Sequence, residues 1–318
     1  MKAFAYLTAD GFEAASRALA GKGPRAVAKA GGTDLLPLLK SRLFEPDEVV
    51  NLQRIRSDGR NGELGALATL AEVAAAAWVR EDFPAVAKAA GEAATPQIRN
   101  AGTVGGNLCQ HTRCWYFRDA NYTCHKRGTG DCSAAPDGAQ NRYHAIFPHK
   151  RCVSAHPSNL APALIAVGAK VICVHPDGDR TVDVELLYDE GPKGRTSDTI
   201  LREGELIRAV VLEPTPLAKR STYVELRERQ SFDFALASVA AAIELDGDVV
   251  KDVRIAFGGV APIPCRAKAA ENAIRGKKLD VDAAARAAVA GATPLSDNAY
   301  KVPVLKELVR RALTELAS

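Results

Sequence analysis

Two glycine-rich segments constrain the fold of this chain more than any other feature. The first, Gly31-Gly32-Thr33-Asp34, follows a strand-like run and precedes a predicted helix at 35–43. The second, Gln97–Asn107, contains Gly105-Gly106 and follows a predicted helix at 85–93. Glycine allows the backbone to approach a ligand closely, and free N–H groups at the start of a helix attract anions. Two such segments on successive α/β units suit a ligand whose pyrophosphate is held from both sides.

Neither segment has the spacing of the common nucleotide motifs. G-x-G-x-x-G, which would indicate a Rossmann fold, does not occur in them, and neither does the phosphate loop G-x-x-x-x-G-K-[ST]. A double glycine alone is more often a simple turn, so the prediction depends on the pair of segments. Thr33 and Asp34 are also suitable residues to cap the helix that follows them.

Hydrophobic patterns divide the chain into three units. We predict a first α/β unit over 1–55, a second over 56–216 and a third over 217–318, with an irregular insertion at about 110–153. The predicted strands are 4–7, 26–30, 48–52, 169–174, 206–212, 221–227, 235–245 and 253–260, and the predicted helices are 11–20, 35–43, 70–77, 85–93, 160–166, 266–275, 281–290 and 304–316. Pro96 is expected to end the helix at 85–93.

Four of the seven cysteines, Cys114, Cys124, Cys132 and Cys152, lie in the insertion. Nine, seven and nineteen residues separate them, and the tight C-x-x-C pairs of zinc ribbons do not occur. Four thiolates from an irregular loop suit an iron–sulfur cluster, whose usual complement is four cysteines. Neighbouring basic residues such as Lys126 favour the thiolate form. The alternative is four unrelated thiols in a surface loop.

Two histidines are further candidates for cluster ligands, and two other cysteines are candidates for packed thiols. His111 and His144 are alternative cluster ligands, although a histidine ligand is the less common arrangement. Cys173 and Cys265 are expected to be packed structural thiols. An odd number of cysteines without an export signal argues against a disulfide framework.

Composition excludes several classes of protein. A net charge of +4 with 6% aromatic residues does not indicate a nucleic-acid binder. No run of eighteen apolar residues predicts a membrane span, and the first residues do not resemble a signal peptide. The hydrolase motif G-x-S-x-G and the metalloprotease motif H-E-x-x-H are also missing. We expect a cytoplasmic protein, or a periplasmic one if a partner with a twin-arginine signal carries it across.

The paired glycine segments resemble the FAD motifs of flavin subunits in the xanthine dehydrogenase, or molybdenum hydroxylase, family. The matching residues are Ala30-Gly-Gly-Thr-Asp-Leu35 and Gln97-Ile-Arg-Asn-x-x-Thr-Val-Gly-Gly-Asn107, with Arg229–Ala235 and Phe257–Pro262 further on. This resemblance covers nearly the whole chain. It implies an α+β fold, in which a two-lobed FAD-binding domain of the PCMH type precedes a C-terminal domain of the carbon monoxide dehydrogenase flavoprotein type. The C-terminal domain is expected to combine an antiparallel sheet with helices.

The resemblance assigns FAD contacts to two groups of residues and to several single positions. In the family the first segment wraps the pyrophosphate, and the second lies under the pyrophosphate and the flavin side. The residues that inherit FAD contacts are Lys29, Ala30, Gly31, Gly32, Thr33, Asp34, Leu35, Thr103, Gly105, Gly106, Asn107, Ser158, Asn159, Ile207 and Arg229.

Two positions depart from the family pattern. The family usually has Pro-Ser-Asp where this chain has Pro157-Ser158-Asn159, and it tends to have a lysine where this chain has Glu225. Asparagine keeps hydrogen-bonding capacity but loses the charge of aspartate, and glutamate reverses the charge of lysine. These changes bear on the electrostatic surroundings of the flavin more than on the fold.

One branch of the family carries a 4Fe–4S cluster in an insertion at this place. It includes the flavin subunits of a bacterial aldehyde oxidoreductase and of 4-hydroxybenzoyl-CoA reductase. The segments Thr112-Arg-Cys-Trp-Tyr-Phe117 and Cys124-His-Lys-Arg127 resemble the aldehyde oxidoreductase version. By position, all four insertion cysteines correspond to cluster ligands, whereas Cys109 falls at an apolar position and is expected to be a packed thiol.

The resemblance also implies an activity and two partners. In such oxidoreductases a large subunit holds the molybdenum cofactor and hydroxylates an aldehyde or heterocycle, and a small subunit with two 2Fe–2S centres passes electrons to the FAD. The flavin then reduces an external acceptor. No side chain of this chain is a convincing general acid or base, so we assign no catalytic residue.

Three alternatives to the aldehyde oxidoreductase remain at this point. The chain would be a non-redox structural module, stabilised by iron–sulfur or zinc, if the glycine segments were ordinary turns. It would be a stand-alone FAD oxidase if it acted without partners, although no substrate domain is recognisable. It would belong to a xanthine, heterocycle or 4-hydroxybenzoyl-CoA reductase complex if the partner differed. The different cysteine spacing of that reductase favours the aldehyde branch.

Overall fold

A computed structural model describes residues 1–55, 62–147, 150–230 and 232–318. The strands are β1 (Ala5–Thr8), β2 (Ala26–Lys29), β3 (Glu48–Asn51), β4 (Glu63–Gly65), β5 (Lys170–Val174), β6 (Arg180–Asp183), β7 (Leu206–Val211), β8 (Ser221–Leu226), β9 (Ala237–Asp246), β10 (Val249–Gly258) and β11 (Cys265–Arg266). The α-helices are α1 (Phe12–Leu19), α2 (Leu35–Lys40), α3 (Leu70–Ala75), α4 (Ala77–Asp82), α5 (Pro84–Glu92), α6 (Pro96–Arg99), α7 (Val104–Leu108), α8 (Trp115–Arg118), α9 (Leu160–Ala166), α10 (Pro216–Lys219), α11 (Lys268–Ile274), α12 (Val281–Ala288) and α13 (Lys301–Ala317).

The strands form three sheets, and together with the helices they confirm the predicted α+β class. A parallel sheet has the order β1-β3-β2, and two antiparallel sheets have the orders β4-β7-β5-β6 and β11-β10-β9-β8. The predicted unit boundaries at 55/56 and 216/217 stay predictions. The first of them adjoins residues 56–61, which lie outside the described ranges.

Most predicted elements are confirmed to within a few residues, and the errors have local causes. The prediction that Pro96 ends a helix is wrong: α5 ends at Glu92 and Pro96 begins α6. Proline fits a first helical position because its missing N–H would have no partner there. The segment 97–107, predicted as a loop, includes part of α6 and most of α7. Thr95 and Thr103 each accept a hydrogen bond from a first-turn N–H and so start these short helices.

The third sheet is buried on both faces by helices. Along β9, Val239, Ala241 and Ile243 face the core formed with α11, α12 and α13. The alternate residues Ala240 and Ala242 face the larger core, to which α5 and α9 contribute. This alternation follows from the two-residue period of a strand. β9 and β10 form a hairpin with Gly247 at φ 57°, which is why β10 begins before the predicted residue 253.

In its described residues, 110–147 and 150–153, the insertion between α7 and α9 contains one short helix, α8, and otherwise irregular backbone. It packs against the first unit through a small apolar cluster that joins Leu38 of α2 with Phe117 and Cys124. A second apolar contact joins Ile146 and Phe147 to the core of the third sheet, and polar contacts add to both. Lys126 is fully buried and forms an ion pair with Asp198, which is also buried.

Lys301, the first residue of α13, fixes the insertion to the third unit. Its side chain is fully buried. Its ammonium donates to the carbonyl oxygens of Tyr143 at 2.9 Å, His144 at 3.0 Å and Gly259 at 2.8 Å. Burial lowers the pKa of Lys301 to about 7, and three carbonyl acceptors favour the charged form. The neighbouring Asn298 also donates to the carbonyl of His144.

We predict that Lys301→Met destabilises the protein by about 2–4 kcal/mol, because it leaves buried carbonyl groups without donors. The change can be measured by urea unfolding at pH 6, where the ammonium form prevails. Lys278→Met is the matched control, since the side chain of Lys278 is 79% exposed, and it should cost less than about 0.5 kcal/mol. Equal unfolding midpoints for the two variants would contradict the role assigned to Lys301.

Candidate cofactor site

The two glycine segments meet in the structure. Gly31 lies so close to the second segment that a Cβ there would be 1.8 Å from the carbonyl oxygen of Ala101. Gly32 has a φ of 76°, in the left-handed region that favours glycine. Within the described ranges, the N–H groups of Gly31, Gly32 and Thr33 have no backbone acceptor. The first segment therefore presents donors suited to an anion.

The second segment uses its N–H groups differently. Val104 donates to the carbonyl of Ala68, Gly105 donates to the carbonyl of Ala66, and Gly106 donates to the hydroxyl of Thr103 at 3.1 Å. These first-turn donors are therefore already engaged within the protein. The two glycines allow close packing within the protein, since a Cβ at Gly105 would lie 3.2 Å from Ala66 and one at Gly106 would lie 3.0 Å from the Thr103 hydroxyl. The N–H groups of residues 104 to 106 are therefore not free to bind a phosphate.

Asn107 attaches the second segment to the start of α9. Its Oδ1 accepts hydrogen bonds from the Ser158 hydroxyl at 2.6 Å and from the Leu160 N–H at 3.2 Å. The Ser158 hydroxyl in turn accepts from the N–H of Ala161. The predicted contacts Asn107 and Ser158 are thus neighbours, and they hold each other in place.

Asp34 has a role that sequence reasoning missed. Its carboxylate does not cap α2. It accepts hydrogen bonds from the backbone and the ring of His111, both at 2.9 Å, and from Arg118 at 2.8 Å, and it pairs with Arg113 at 3.0 Å. Burial alone would raise the pKa of Asp34, but the His111 hydrogen bond and the Arg113 charge outweigh it and hold the pKa well below the usual range. Asp34 therefore joins the first glycine segment to the insertion.

The two departures from the family pattern touch each other. Asn159 donates to Glu225 at 2.8 Å and to the hydroxyl of Tyr223 at 3.1 Å, and Tyr223 donates to Glu225 at 2.6 Å. Arg227 lies 2.8 Å from the other oxygen of Glu225. Burial raises the pKa of Glu225, although Tyr223 and Arg227 oppose that shift. At these two positions the family pattern implies an aspartate beside a lysine. This chain instead has an asparagine that donates a hydrogen bond to a glutamate.

All four insertion cysteines line one cavity of about 250 Å³. Burial raises the pKa of Cys114 to about 12, whereas a hydrogen bond with Cys152 lowers the pKa of Cys132 to about 7. Within the described ranges, no three His, Cys, Asp or Glu side chains are placed to hold one metal ion. In a four-iron cluster each cysteine binds a different iron, so the sulfurs stand apart around a central space. The lining supplies the four thiols of that donor set, with Cys132 and Cys152 hydrogen-bonded to each other.

A second cavity, of about 760 Å³, lies beside the first, and Cys114 lines both. His156 and Pro157 form part of its wall next to Ser158, and Phe234 contributes from the third unit. Arg113 also lines it. In the described part of the chain, the cavity lining contains no residue of either glycine segment. The cavity is connected to the first segment through Arg113, which pairs with Asp34, and to the second through Pro157, whose neighbour Ser158 donates to Asn107.

His156 is the most deeply buried histidine of that wall. Burial lowers its pKa to about 3, which keeps the ring neutral. Its Nδ1 accepts from the N–H of Ser158 at 3.3 Å, and within the described ranges its Nε2 has no partner. A neutral ring that accepts at Nδ1 carries its hydrogen on Nε2, so His156 has a spare donor at the cavity.

The remaining predicted FAD contacts are spread over several places in the fold. Lys29 donates to Gln53 at 3.1 Å and lies 6.0 Å from the centroid of the Tyr6 ring. Ile207 is buried in the large core, and Arg229 is mostly exposed beside Asp233. Ala30, Leu35 and Thr33 lie in the first segment or at the start of α2, with Thr33 exposed. These assignments stay predictions.

The other cysteines and one aromatic group complete the surroundings. Burial raises the pKa of Cys109 and of Cys265, each to about 12, and raises that of Cys173 to about 11. Cys109 and Cys173 belong to or pack against the large core, away from the cysteine cavity. Trp115 and Tyr143 contact each other edge to face at the larger cavity.

Comparison with known proteins identifies the family. Residues 2–215 match the FAD binding domain in molybdopterin dehydrogenase, and residues 221–316 match the CO dehydrogenase flavoprotein C-terminal domain. The chain belongs to the flavoprotein family of the molybdopterin dehydrogenases. This result confirms the predicted family, the FAD cofactor and the description as an oxidoreductase subunit.

Two relatives and one solved structure resemble this flavoprotein along most of its length. The aldehyde oxidoreductase FAD-binding subunit PaoB of Escherichia coli K12 is 35% identical, with 99% of this chain and 98% of that protein covered. The carbon monoxide dehydrogenase medium chain of Hydrogenophaga pseudoflava is 28% identical, with 89% and 86% covered. A solved carbon monoxide dehydrogenase from the same organism matches with a TM-score of 0.75 at 26% identity, covering 99% of this chain and 97% of that chain.

In the described ranges of this flavoprotein, every helix is too short or too polar to cross a membrane. All seven cysteines are free thiols.

We predict that Asp34→Asn removes stability above about pH 4. The folded-state pKa of Asp34 is depressed, so its contribution is present above the unfolded pKa and is lost as the pH falls. The variant should be about 2 kcal/mol less stable than the parent at pH 7, and the difference should shrink steadily as the pH falls from about 5 towards the depressed pKa of Asp34. Urea unfolding across this range measures it. Asp137→Asn, at an exposed site in the insertion, should leave the pH profile unchanged, and a profile for Asp34→Asn parallel to the parent's would refute the assignment.

We predict that Asn159→Asp and Glu225→Lys each destabilise the flavoprotein by about 1–3 kcal/mol, while the double variant recovers much of the loss. Asn159→Asp places a second carboxylate against that of Glu225, and Glu225→Lys places a lysine beside Arg227. Together they create an ion pair of opposite charges. Urea unfolding of all four proteins gives the coupling energy, which should be about 1–3 kcal/mol in favour of the double variant. Glu213→Lys, at an exposed site, controls for charge reversal. Additive losses would show that the two positions act independently.

Proposed function

We propose that this chain is the FAD- and 4Fe–4S-binding electron-transfer subunit of a heterotrimeric molybdenum hydroxylase, acting in an aldehyde oxidoreductase. In this proposal a large partner subunit holds the molybdenum cofactor and the substrate, and a small partner subunit holds two 2Fe–2S centres. Electrons pass from the small subunit to this chain and leave for an external acceptor.

One observation carries the proposal beyond the family assignment: the four-cysteine cavity adjoins the larger cavity through Cys114. The larger cavity in turn borders residues that contact both glycine segments. Two redox groups at these places would be separated by a few side chains. That arrangement favours an electron-transfer role over a non-redox metal-stabilised module.

The FAD would be held by three parts of the chain. The unpartnered N–H groups of Gly31, Gly32 and Thr33 suit the pyrophosphate, since backbone donors bind phosphate oxygens well. Gly105 and Gly106 let the second segment pack closely against Ala66 and Thr103, and Asn107 keeps it against α9. The larger cavity is our candidate for the flavin ring, with the spare Nε2 donor of His156 in its wall.

The cluster would be bound by Cys114, Cys124, Cys132 and Cys152. Thiolates are the binding form, so loading must release the protons of these thiols. The buried ammonium of Lys126 lowers the pKa of Cys152 against the effects that raise it. It also offsets part of the negative charge of four thiolates.

The chain's own residues bind, orient and shield these groups. The bound flavin would supply the exchange between two-electron and one-electron steps. Asp34 and its partners hold the first glycine segment against the insertion. No side chain of this subunit takes the role of a general acid or base, and we assign the hydroxylation chemistry to the molybdenum-containing partner.

The relatives support the aldehyde substrate class. The Escherichia coli protein is named as the FAD-binding subunit of an aldehyde oxidoreductase, and another relative, from Sulfolobus acidocaldarius, is the medium chain of a glyceraldehyde dehydrogenase at 27% identity. The resemblance of the cysteine insertion to the aldehyde branch points the same way. The cytoplasmic or co-exported periplasmic location stays a prediction.

The first test is anaerobic purification followed by an absorption spectrum and by iron and acid-labile sulfide assays. We expect flavin bands with about four iron and four sulfide per chain. Flavin without iron would refute the cluster and leave an ordinary flavin subunit. Neither flavin nor iron in folded protein would refute the proposed function. Co-purification with a molybdenum-containing partner tests the complex.

Cysteine variants test the ligand set. We predict that Cys132→Ser loses most of its iron while it keeps its flavin, because one of four ligands is removed from the cavity. Cys109→Ser is the matched control, and it should retain the full iron and sulfide content because Cys109 packs against the large core. Iron retained in Cys132→Ser, or lost equally in both variants, would contradict the ligand assignment.

A further inference from the structure

His144 is the side chain that connects the two cavities. Its Nε2 lies 3.2 Å from the sulfur of Cys114. The ring lines the larger cavity but not the cysteine cavity. The side chain is buried, and within the described ranges its Nδ1 has no partner. Among the described side chains, the Cys114 sulfur is the hydrogen-bonding partner of this ring, and the backbone of Asn141 also raises its pKa against the effect of burial.

The backbone of His144 is held from several directions. Its N–H donates to the carbonyl of Asn141, and its own carbonyl accepts from Asn298 at 3.1 Å and from Lys301 at 3.0 Å. The ring is tilted against Trp115 and Tyr116, with centroid separations of 6.3 Å and 6.2 Å. A ring held at its backbone and on two sides has little freedom to leave the sulfur.

The chemistry of the sulfur determines which of the two atoms donates the hydrogen bond. A thiolate that binds iron only accepts hydrogen bonds, so Nε2 must carry the hydrogen. A hydrogen bond to a cluster sulfur withdraws charge from it, and the reduced cluster, which is the more negative form, gains more from this than the oxidised one. Such hydrogen bonds are a recognised way for a protein to set a cluster's reduction potential.

We propose that His144 is a positioning residue that donates a hydrogen bond from Nε2 to the Cys114 sulfur, on the side of the cluster that faces the larger cavity. This hydrogen bond raises the reduction potential of the cluster. The inference rests on the proposed function, since it requires the cluster. It differs from the alternative in which His144 is itself a ligand. Because His144 does not line the cysteine cavity, the donor role fits its position and the ligand role does not.

The test uses the anaerobically purified complex and compares His144→Phe with His144→Gln. Phenylalanine keeps an aromatic ring between Trp115 and Tyr116 but removes the donor, whereas glutamine keeps an N–H donor. His175→Phe is the control, because it makes the same change at a histidine whose ring nitrogens contact Glu203 and Asp177 and which lines neither cavity. Each protein is assayed for iron, sulfide and flavin, and the midpoint potential of its cluster is measured by redox titration followed by electron paramagnetic resonance.

We expect His144→Phe to shift the midpoint to lower potential by about 59 mV, which is a tenfold change for a one-electron couple. His144→Gln should lie between that variant and the parent, and His175→Phe should match the parent. All should keep the parent's iron and flavin. An unchanged midpoint in His144→Phe with full iron would overturn the proposal. Loss of iron in both His144 variants would also overturn it, in favour of a ligand role. Absence of iron from the parent would instead refute the proposed function.

Discussion

The carboxylate of Asp34 is the interaction on which both candidate cofactor sites depend. A partly buried charge is costly unless it is paired and hydrogen-bonded, and Asp34 meets that need with the backbone and ring of His111 and the guanidinium groups of Arg113 and Arg118. All three partners belong to the insertion, while Asp34 belongs to the first glycine segment. The insertion cannot shift without leaving this charge unpaired. The geometry of the cysteine cavity and that of the glycine segment are therefore linked.

The same principle holds the rest of the insertion. Its apolar contact with α2 is small, and irregular backbone offers no repeating pattern of hydrogen bonds. Buried charged groups replace them: Lys126 pairs with Asp198 in the second unit, and Lys301 binds carbonyl groups in the insertion and in the third unit. Buried ion pairs are weak evidence for stability, since desolvation offsets much of the attraction. Their contribution here is to fix one arrangement of a segment that lacks a core of its own.

Hydrophobic patterns in the sequence predicted most of the longer helices and strands, and motifs predicted the candidate ligand residues. Neither predicted which distant residues pair with each other. The helices and strands followed from hydrophobic periodicity, and cysteine spacing indicated the residues that line one cavity. The two short helices in the second glycine segment were missed because their threonine caps, not periodicity, define them. Asp34 and Arg118 are 84 residues apart, and Lys126 and Asp198 are 72 apart. A charged residue in a sequence carries no mark of which distant charge it will meet, so only the fold could reveal these pairs.

Asn159 and Glu225 show how such distant pairs change what a sequence departure means. Considered singly, the first loses a charge and the second reverses one relative to the pattern that the resemblance implies. In the structure they share a hydrogen bond, and Arg227 lies against the other oxygen of Glu225. Arg227 thus supplies a cation beside Glu225, two residues further along the chain. A buried cluster can thus exchange its charged members while every polar group keeps a partner, provided that the changes occur together.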